Sequence, residues 1–277
     1  MSVLELARQD GSIRFEEDQC RQAGQALAGR YREAQPFPHI VMDDFLPAAE
    51  LRKVLEAFPD AEGRDFYDRE QERLKYQYHP QDCAPAIRTL LAELNSQAFL
   101  AFLGEMTGID GLIADPYYLG GGLHETKRGG HLSVHADFNI HNTMKVVRRL
   151  NLLIYLNEDW SPEYGGELEL WDRSMTHRVT SIAPVIGRAV VFNTDLDSFH
   201  GHPEPLACPP ERSRRSIATY YYTAPEQGIA SVPRRTTVFK PRPESADRTD
   251  WRIKAQHAWL DWAPPALRRM LSRSGKY

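Results

Sequence analysis

The feature that most constrains the fold is a run of short apolar or alternating segments between about Leu112 and Thr223. Seven such segments follow one another: LIADPYYL, HLSVHADF, RRLNLLIYLN, GELELWD, HRVTSIA, RAVVFN and SIATYYYT. Glycine, proline, asparagine and aspartate separate them, and these residues favour turns. Short strands at this spacing are typical of an antiparallel sandwich or barrel. The sequence therefore predicts a mainly β fold whose sheet contains seven or eight strands.

Helical patterns precede this region. Residues 1–35 are charged and indicate a helical segment, and residues 39–42 (HIVM) predict a short strand. Apolar residues at helical spacing predict one helix over 48–58 and another over 85–108. Residues 60–82 between these helices are polar and rich in aromatic side chains, and they indicate a long loop or lid.

We interpret the chain as a single domain that spans residues 1–277. Its helical N-terminal part covers 1–110, its β core about 111–225, and a C-terminal extension 226–277. The extension contains WRIKAQHAWLDW and PPALRRMLSR, which predict two helices. All-β barrels and sandwiches commonly reach a length of about 200–250 residues as one unit, so a core with helical additions suits this chain.

Charge and cysteine content argue against several classes of partner. The chain has 34 basic and 38 acidic residues and a formal net charge of −4, so no long-range positive field would attract nucleic acid or an anionic membrane. Cys20, Cys83 and Cys208 are widely spaced and form no CxxC pair, which favours a reducing compartment. No signal segment or membrane-spanning apolar run is visible. We therefore predict a cytoplasmic protein without nucleic-acid or membrane partners.

The segment HLSVHADF carries a candidate metal site. His135 and Asp137 are two residues apart on a predicted strand, so their side chains share a face with Cα atoms ~7 Å apart. A third ligand would come from FHGHP, in which His200 and His202 are both candidates. Two histidines and one carboxylate on one face of an octahedral ion leave positions open, as in non-haem Fe(II) oxygenases. An isolated HxD pair is a weak signal, because a solvated pair at a strand end would look the same.

A second candidate site lies in ERSRRSIATYYYT. Arg214, which stands 14 residues after His200, shares a strand face with Ser216. A guanidinium matches a carboxylate with two parallel hydrogen bonds, and a nearby hydroxyl adds a donor, so the pair suits the distal carboxylate of 2-oxoglutarate. The alternative is that Arg214 is an ordinary edge-strand charge beside Arg212 and Arg215.

Several motifs in a consistent order resemble the prolyl-4-hydroxylase-type Fe(II)/2-oxoglutarate-dependent dioxygenases. They are the HxD pair, RRLNLLIYLNEDW, YGGELELW, FHGHPEP and RRSIATYYY, and they extend over about residues 120–223. The family's YLNxDW segment is present at residues 155–160 and its GGxL turn at residues 165–168. His200 matches the family's distal iron histidine, and Arg214 with Ser216 matches its RxS motif.

The resemblance implies a double-stranded β-helix, the cupin-like jelly roll, in agreement with the strand pattern. It implies three ligands to Fe(II): His135, Asp137 and His200. It implies three contacts to the cosubstrate 2-oxoglutarate: Arg214, Tyr155 and Ser216. The implied reaction consumes O₂, hydroxylates a C–H bond and releases succinate and CO₂, with ascorbate as a candidate reductant. Related halogenases replace the carboxylate ligand with a small residue, so Asp137 favours hydroxylation.

The residues leave several alternatives open. We favour His200 over His202 as the distal ligand, and Arg214 over Arg215 as the cosubstrate arginine, because only these fit the motifs. Asn151 shares the inward face of Tyr155, which makes it a candidate for the substrate pocket, as are His141 and His202. Where many relatives carry a tyrosine about ten residues before the HxD histidine, this chain has Leu123-His124-Glu125.

The function classes also stay open at this point. The leading hypothesis is a hydroxylase whose substrate is a small molecule or a peptidyl side chain. One rival is another cupin-like metalloenzyme, such as a hydrolase or isomerase, which would not need an inward Arg214 and Tyr155. The other rival is a non-catalytic metal- or ligand-binding module, which would tolerate the loss of a ligand. The sequence does not predict the oligomeric state.

Overall fold

A computed structural model describes residues 2–9, 11–59, 65–245 and 247. The described residues contain four α-helices: α1 (Glu17–Arg32), α2 (Ala48–Glu56), α3 (Pro85–Glu93) and α4 (Gln97–Thr107). They contain these strands: β1 (Ala7–Gln9), β2 (Ser12–Arg14), β3 (His39–Met42), β4 (Asp65–Arg69), β5 (Glu72–Tyr78), β6 (Ile113–Ala114), β7 (Gly122–Ala136), β8 (Ile140–His141), β9 (Val146–Tyr155), β10 (Leu168–Trp171), β11 (Arg178–Ile182), β12 (Ala189–Asn193), β13 (His200–His202), β14 (Ser213–Thr223) and β15 (Val238–Phe239).

Strands β3 to β15 form one sheet whose described pairings are antiparallel. The main path runs in the order β11-β10-β13-β7-β14-β9-β12-β3. Off this path, β5 and β15 pair with β7, β6 with β14, β8 with β9, and β4 with β5. Neighbours in this order are seldom neighbours in sequence, so the chain repeatedly crosses between the two sides of a nearly closed barrel. This arrangement confirms the predicted mainly β jelly roll with flanking helices.

The two faces of β9 separate the two parts of the core. Leu152 and Ile154 are fully buried against the apolar side chains of the helices. Leu153 and Tyr155 point to the opposite face, where Phe192 and other apolar side chains fill the barrel interior. Successive residues of a strand point to opposite faces, so one apolar strand supplies both layers. The predicted inward face of β9 is therefore confirmed.

Residues 65–78 correct the prediction of a loop or lid over 60–82. They form the hairpin β4–β5, and β5 continues the main sheet by pairing with β7, for example Gln77 with His124. The sequence does not predict a strand here because apolar and polar residues alternate only weakly. Tyr76 packs towards the helices, while Lys75 faces the other side of the strand. Pairing with a long neighbouring strand supplies what its own pattern lacks.

The predicted helix over 85–108 is two helices. α3 ends at Glu93, and α4 begins after Ser96, whose hydroxyl accepts a hydrogen bond from the Phe99 amide. Such a serine cap satisfies one of the amides that a helix start leaves unpaired. The apolar spacing continues across the break because both helices pack on the same core.

The ends of the chain also differ from the prediction. The helical segment expected over 1–35 is confirmed only for α1, since β1 and β2 form a small hairpin before it. The two C-terminal helices predicted after residue 250 lie outside the described residues. The division of the chain into one domain with three parts stays a prediction.

The three cysteines are buried free thiols. Among the described residues, no helix is both long and apolar enough to cross a bilayer.

The close contact between α1 and α4 generates a prediction about stability. A Cβ at Gly24 would lie 2.5 Å from the Phe102 carbonyl oxygen, whereas a Cβ at Gly29 in the same helix would meet nothing within 4 Å. We expect Gly24→Ala to lower the free energy of unfolding by about 1–3 kcal/mol through overpacking. Gly29→Ala should raise it by roughly 0.5–1 kcal/mol through helix propensity. Urea unfolding checks both, and equal effects would contradict the packing argument.

Candidate metal centre

His135, Asp137 and His200 come together at one end of the barrel interior. His135 lies on β7, Asp137 follows the last residue of that strand, and His200 begins β13 directly opposite His135. One donor atom from each residue lies within 4.8 Å of the others, and all three side chains are buried. Nε2 of His135 is 3.5 Å from Oδ1 of Asp137, and Nε2 of His200 is 3.5 Å from Oδ2. The predicted trio therefore shares one small volume.

Gly201 sets how closely β13 approaches β7. A Cβ at this position would lie 2.8 Å from the Leu132 carbonyl oxygen and 2.9 Å from that of Ser133. The pairing shifts between His200 and His202 at this glycine. Only a residue without a side chain fits this close backbone approach, so Gly201 helps to set His200 beside His135.

Backbone carbonyls orient both imidazoles. Nδ1 of His135 lies 2.9 Å from the Ser133 carbonyl oxygen, and Nδ1 of His200 lies 2.9 Å from that of Ser198. Because a carbonyl can only accept, each Nδ1 carries a proton, and in the neutral ring this leaves the lone pair on Nε2, towards the other two side chains. Burial, reinforced by the nearby His135, lowers the pKa of His200 to about 4, so its ring is neutral at physiological pH. Neutral imidazoles with a fixed tautomer are the form that binds a metal.

Two donors hold the Asp137 carboxylate. Nδ2 of Asn151 donates a hydrogen bond of 2.8 Å to Oδ2, and a guanidinium nitrogen of Arg148 lies 3.3 Å from the same oxygen. Arg148 also donates to Oδ1 of Asn151 at 2.9 and 2.6 Å. Burial alone would raise the pKa of Asp137, but Arg148 and the two histidines outweigh it and hold the pKa well below the usual range. The carboxylate is therefore ionised, and two nitrogen and one oxygen donors fit a divalent transition metal.

Arg148 is a site residue that the sequence analysis missed. Strict alternation back from Asn151 would place Arg149 inward and Arg148 outward. The register between β9 and β14 shifts at Tyr222, which lies opposite Arg148, and Arg149 is the extra residue of the bulge. The Arg148 guanidinium stacks 3.5 Å from the centre of the Tyr220 ring. Bulges of this kind change which side chain points inward, and periodicity alone does not reveal them.

Arg214 and Tyr155 form a second buried polar group in the interior. Arg214 donates to the Gly166 carbonyl oxygen at 2.7 Å and to the Tyr155 hydroxyl at 3.3 Å. Ser216 is buried on the same strand as Arg214 and lies opposite Tyr155 of the neighbouring strand β9. Among the described residues, no carboxylate lies within 4.0 Å of Arg214. A buried guanidinium without an acidic partner is suited to an anionic ligand.

Arg215 points to the other face of β14. Its guanidinium lies 3.2 Å from Oε1 of Glu125 and stacks 4.5 Å from the centre of the Phe58 ring. Of the two arginines left open by the sequence, only Arg214 lies beside Tyr155.

A sequence comparison identifies the family. Residues 121–222 match the sequence model of the 2OG-Fe(II) oxygenase superfamily. These residues form the β core of the chain, and this segment has the sequence features of the superfamily. The matched segment contains both buried polar groups described above.

Among the solved structures similar to this chain, two prolyl hydroxylases share its fold. A prolyl-4-hydroxylase from Pseudomonas putida is 20% identical, with a TM-score of 0.53, and the match covers 73% of this chain and 100% of that one. A prolyl hydroxylase from Trichoplax adhaerens, in complex with a hypoxia inducible factor oxygen degradation domain peptide fragment, is 17% identical with a TM-score of 0.53; the match covers 78% and 96%. At these identities the likeness shows the jelly-roll fold. No curated protein matches the sequence significantly.

The three candidate pocket residues occupy different places. Asn151 binds Asp137, as described above. His202 is buried on β13, where Nδ1 has no hydrogen-bond partner among the described residues. His141 is also buried, with Nε2 3.3 Å from Oδ1 of Asp115 and its ring edge-on to Tyr222. His141 is therefore not exposed to solvent, and the substrate contacts proposed for these three residues stay predictions.

His124 occupies the interior face of β7 where many relatives carry a tyrosine. It lies opposite Ser216, and Nε2 is 3.0 Å from the Gly120 carbonyl oxygen. Glu125 faces the other way and accepts a hydrogen bond from the Tyr78 hydroxyl. Of these two residues, only His124 therefore lies in the same barrel interior as Arg214.

The buried pair of Arg148 and Asp137 generates a prediction about stability. Removing one partner of a buried ion pair leaves the other charge uncompensated, so Arg148→Met should lower the free energy of unfolding of the metal-free protein by roughly 3–5 kcal/mol. The double variant Arg148→Met/Asp137→Asn should recover part of this loss, since both charges are removed. Urea unfolding at neutral pH measures each value.

Arg149→Met is the matched control for this prediction. Arg149 donates a single hydrogen bond of 3.3 Å to the Thr223 hydroxyl, so its loss should cost about 1 kcal/mol. Equal destabilisation by the two single variants would argue against a special role for Arg148.

Proposed function

We propose that this protein is an Fe(II)- and 2-oxoglutarate-dependent dioxygenase that hydroxylates an unactivated C–H bond of a small molecule or a peptidyl side chain. The products would be the hydroxylated substrate, succinate and CO₂. The match of residues 121–222 to the 2OG-Fe(II) oxygenase superfamily supports this reaction. The observation that carries the proposal is the convergence of His135, Asp137 and His200 within 4.8 Å.

The metal would be bound by Nε2 of His135, Nε2 of His200 and the Asp137 carboxylate. Three protein ligands on one face leave positions for a bidentate cosubstrate and O₂. When bound, the iron supplies the oxidising chemistry that couples decarboxylation of 2-oxoglutarate to hydroxylation. Asn151 and Arg148 would keep the Asp137 carboxylate ionised and correctly turned, which is the usual work of the groups around a metal ligand.

The distal carboxylate of 2-oxoglutarate would be held by Arg214, with Tyr155 and Ser216 as further donors. The buried position of Arg214 strengthens such a charge-assisted bond, because little water competes for it. Arg214 is held in turn by the glycine turn at residues 165–166. A Cβ at Gly166 would lie 3.0 Å from Cδ of Arg214, so the absence of a side chain lets the turn pack on the arginine.

Two rival functions fit these observations less well. A cupin-like hydrolase or isomerase would use the three ligands but would not need the buried pair of Arg214 and Tyr155. A non-catalytic binding module would not need an intact set of ligands. The substrate itself, and the roles of Asn151, His141 and His202 in binding it, stay predictions, as does a cytoplasmic location.

The direct test uses the purified protein without oxygen. Addition of Fe(II) and 2-oxoglutarate should produce the weak visible charge-transfer band of the chelated cosubstrate, and admission of air should release succinate even without substrate. A protein that binds Fe(II) but gives neither the band nor succinate would favour one of the rival functions. Ascorbate can be included as a candidate reductant.

The first variant prediction concerns the cosubstrate. Arg214→Ala removes one partner of a buried charge pair, worth roughly 3–5 kcal/mol. At about 1.4 kcal/mol per tenfold change, the affinity for 2-oxoglutarate should fall by about two to three orders of magnitude. The affinity for Fe(II) alone should change little. Titration monitored by the charge-transfer band measures the first quantity, and Arg215→Ala is the matched control because its side chain faces Glu125. Equal loss of metal and cosubstrate binding would contradict the role proposed for Arg214.

The second variant prediction separates the two histidines of β13. His200→Ala should abolish specific Fe(II) binding, because it removes one of three ligands. His202→Ala should retain Fe(II) binding, since the register shift sets His202 opposite Leu132 and outside the cluster of three donor residues. Metal content after anaerobic loading and desalting gives the answer, and retention of iron by His200→Ala would remove His200 from the centre.

A further inference from the structure

The chain segment that follows the sheet returns to the candidate metal centre. We define the C-terminal strap as residues 229–242. Within it, β15 pairs with the end of β7, with Phe239 opposite His135 and Val238 opposite Ala136. The Phe239 ring lies 5.4 Å from the His135 ring. The strap therefore packs directly on the strand that supplies the first histidine.

Arg235 of the strap binds three backbone carbonyl oxygens. One guanidinium nitrogen donates to the Asp137 carbonyl at 2.7 Å and to the Asp195 carbonyl at 3.0 Å. Another guanidinium nitrogen donates to the Leu196 carbonyl. A guanidinium presents several N–H groups in a fixed plane, so one side chain can bridge two backbone segments. The ammonium group of a lysine fixes the direction of its hydrogen bonds less well.

The three carbonyls belong to the two segments that carry candidate metal ligands. Asp137 is itself one of the ligands. Asp195 and Leu196 lie in the turn that leads into His200, and the Asp195 amide donates to the Ser198 hydroxyl at 2.8 Å. The Ser198 carbonyl in turn fixes Nδ1 of His200. A continuous series of hydrogen bonds thus connects Arg235 to the orientation of the His200 imidazole, and a direct one connects it to Asp137.

We propose that Arg235 is a positioning residue that fastens these two segments together and so sets the affinity and geometry of the metal centre. The inference rests on the proposed function, because it assumes that His135, Asp137 and His200 bind a metal. Without Arg235, these backbone carbonyls could bond with water instead. The two segments could then shift, and Asp137 or His200 would move with them. Metal ligands need to be held within about 0.5 Å of the productive geometry. Loss of a partner outside the ligand set typically costs 10–100-fold in metal affinity.

The backbone of Arg235 is held independently of its side chain. Its amide donates to Oδ1 of Asn139 at 2.8 Å, and Nδ2 of Asn139 donates to the Pro233 carbonyl at 2.8 Å. The Asn139 amide also donates to the Arg235 carbonyl at 3.3 Å. Truncation of the Arg235 side chain should therefore leave the strap in place and remove only the three carbonyl contacts.

The experiment is an anaerobic titration of the metal-free full-length protein with Co(II) as a spectroscopic substitute for Fe(II). The ligand-field absorption of Co(II) reports both affinity and ligand geometry. We expect Arg235→Ala to weaken Co(II) binding by roughly 10–100-fold and to change the absorption band. Arg234→Ala is the matched control, because the neighbouring Arg234 is exposed and donates to the Asn142 side chain instead. This control should bind Co(II) as the wild type does.

Each outcome of the titration bears on the proposal. Wild-type affinity and an unchanged band in Arg235→Ala would overturn it, as would equal weakening in Arg234→Ala. If Arg235→Ala does not fold, Arg235→Gln takes its place, since an amide retains at most part of the three contacts; weakened binding supports the proposal and wild-type binding overturns it. Failure of the wild-type protein to bind Co(II) would instead overturn the proposed metal centre.

Discussion

The antiparallel register between β13 and β7 is the constraint on which the candidate site depends. It sets His200 directly opposite His135, and Asp137 follows two residues later on the same chain. A slip of one residue would turn the histidine of β13 to the opposite face of the sheet, because side chains alternate. Gly201 resists such a slip, since another residue at this point would collide with the carbonyls of β7. A glycine without chemistry of its own thus helps to define the chemistry of its neighbour.

Three arginines around the barrel interior differ in the groups that they contact. Arg148 contacts the Asp137 carboxylate, an amide oxygen and an aromatic face. Its charge keeps the carboxylate of this candidate metal ligand ionised. Arg235 is bound by backbone carbonyls and connects two segments. Arg214 has a carbonyl and a hydroxyl as partners, and no carboxylate among the described residues lies within ion-pair distance of it. Burial makes an unmatched charge costly, so this difference in partners distinguishes the arginine suited to an anionic cosubstrate from those that organise the protein.

The local sequence pattern predicted the direction of a side chain correctly where alternation along one strand sets it. The pattern failed where pairing between two strands sets it. The inward positions of Asn151 and Tyr155 follow from alternation along β9 and could be predicted. Arg148 could not be, because a bulge against β14 shifts the register by one residue. The hairpin at residues 65–78 was missed for a similar reason, since its strand character comes from pairing with β7.

The sequence by itself determined the mainly β character of the core, its family resemblance and the identity of the candidate ligands, because residue spacing and motif order are properties of the chain alone. Only the tertiary structure decided which of His200 and His202 lies beside His135, which of Arg214 and Arg215 lies beside Tyr155, and that Arg148 and Arg235 join the site. These choices depend on register, bulges and the return of a distant segment. Motifs favoured His200 and Arg214, but contacts between residues far apart in sequence form only when the whole sheet closes, and strand alternation alone does not encode them.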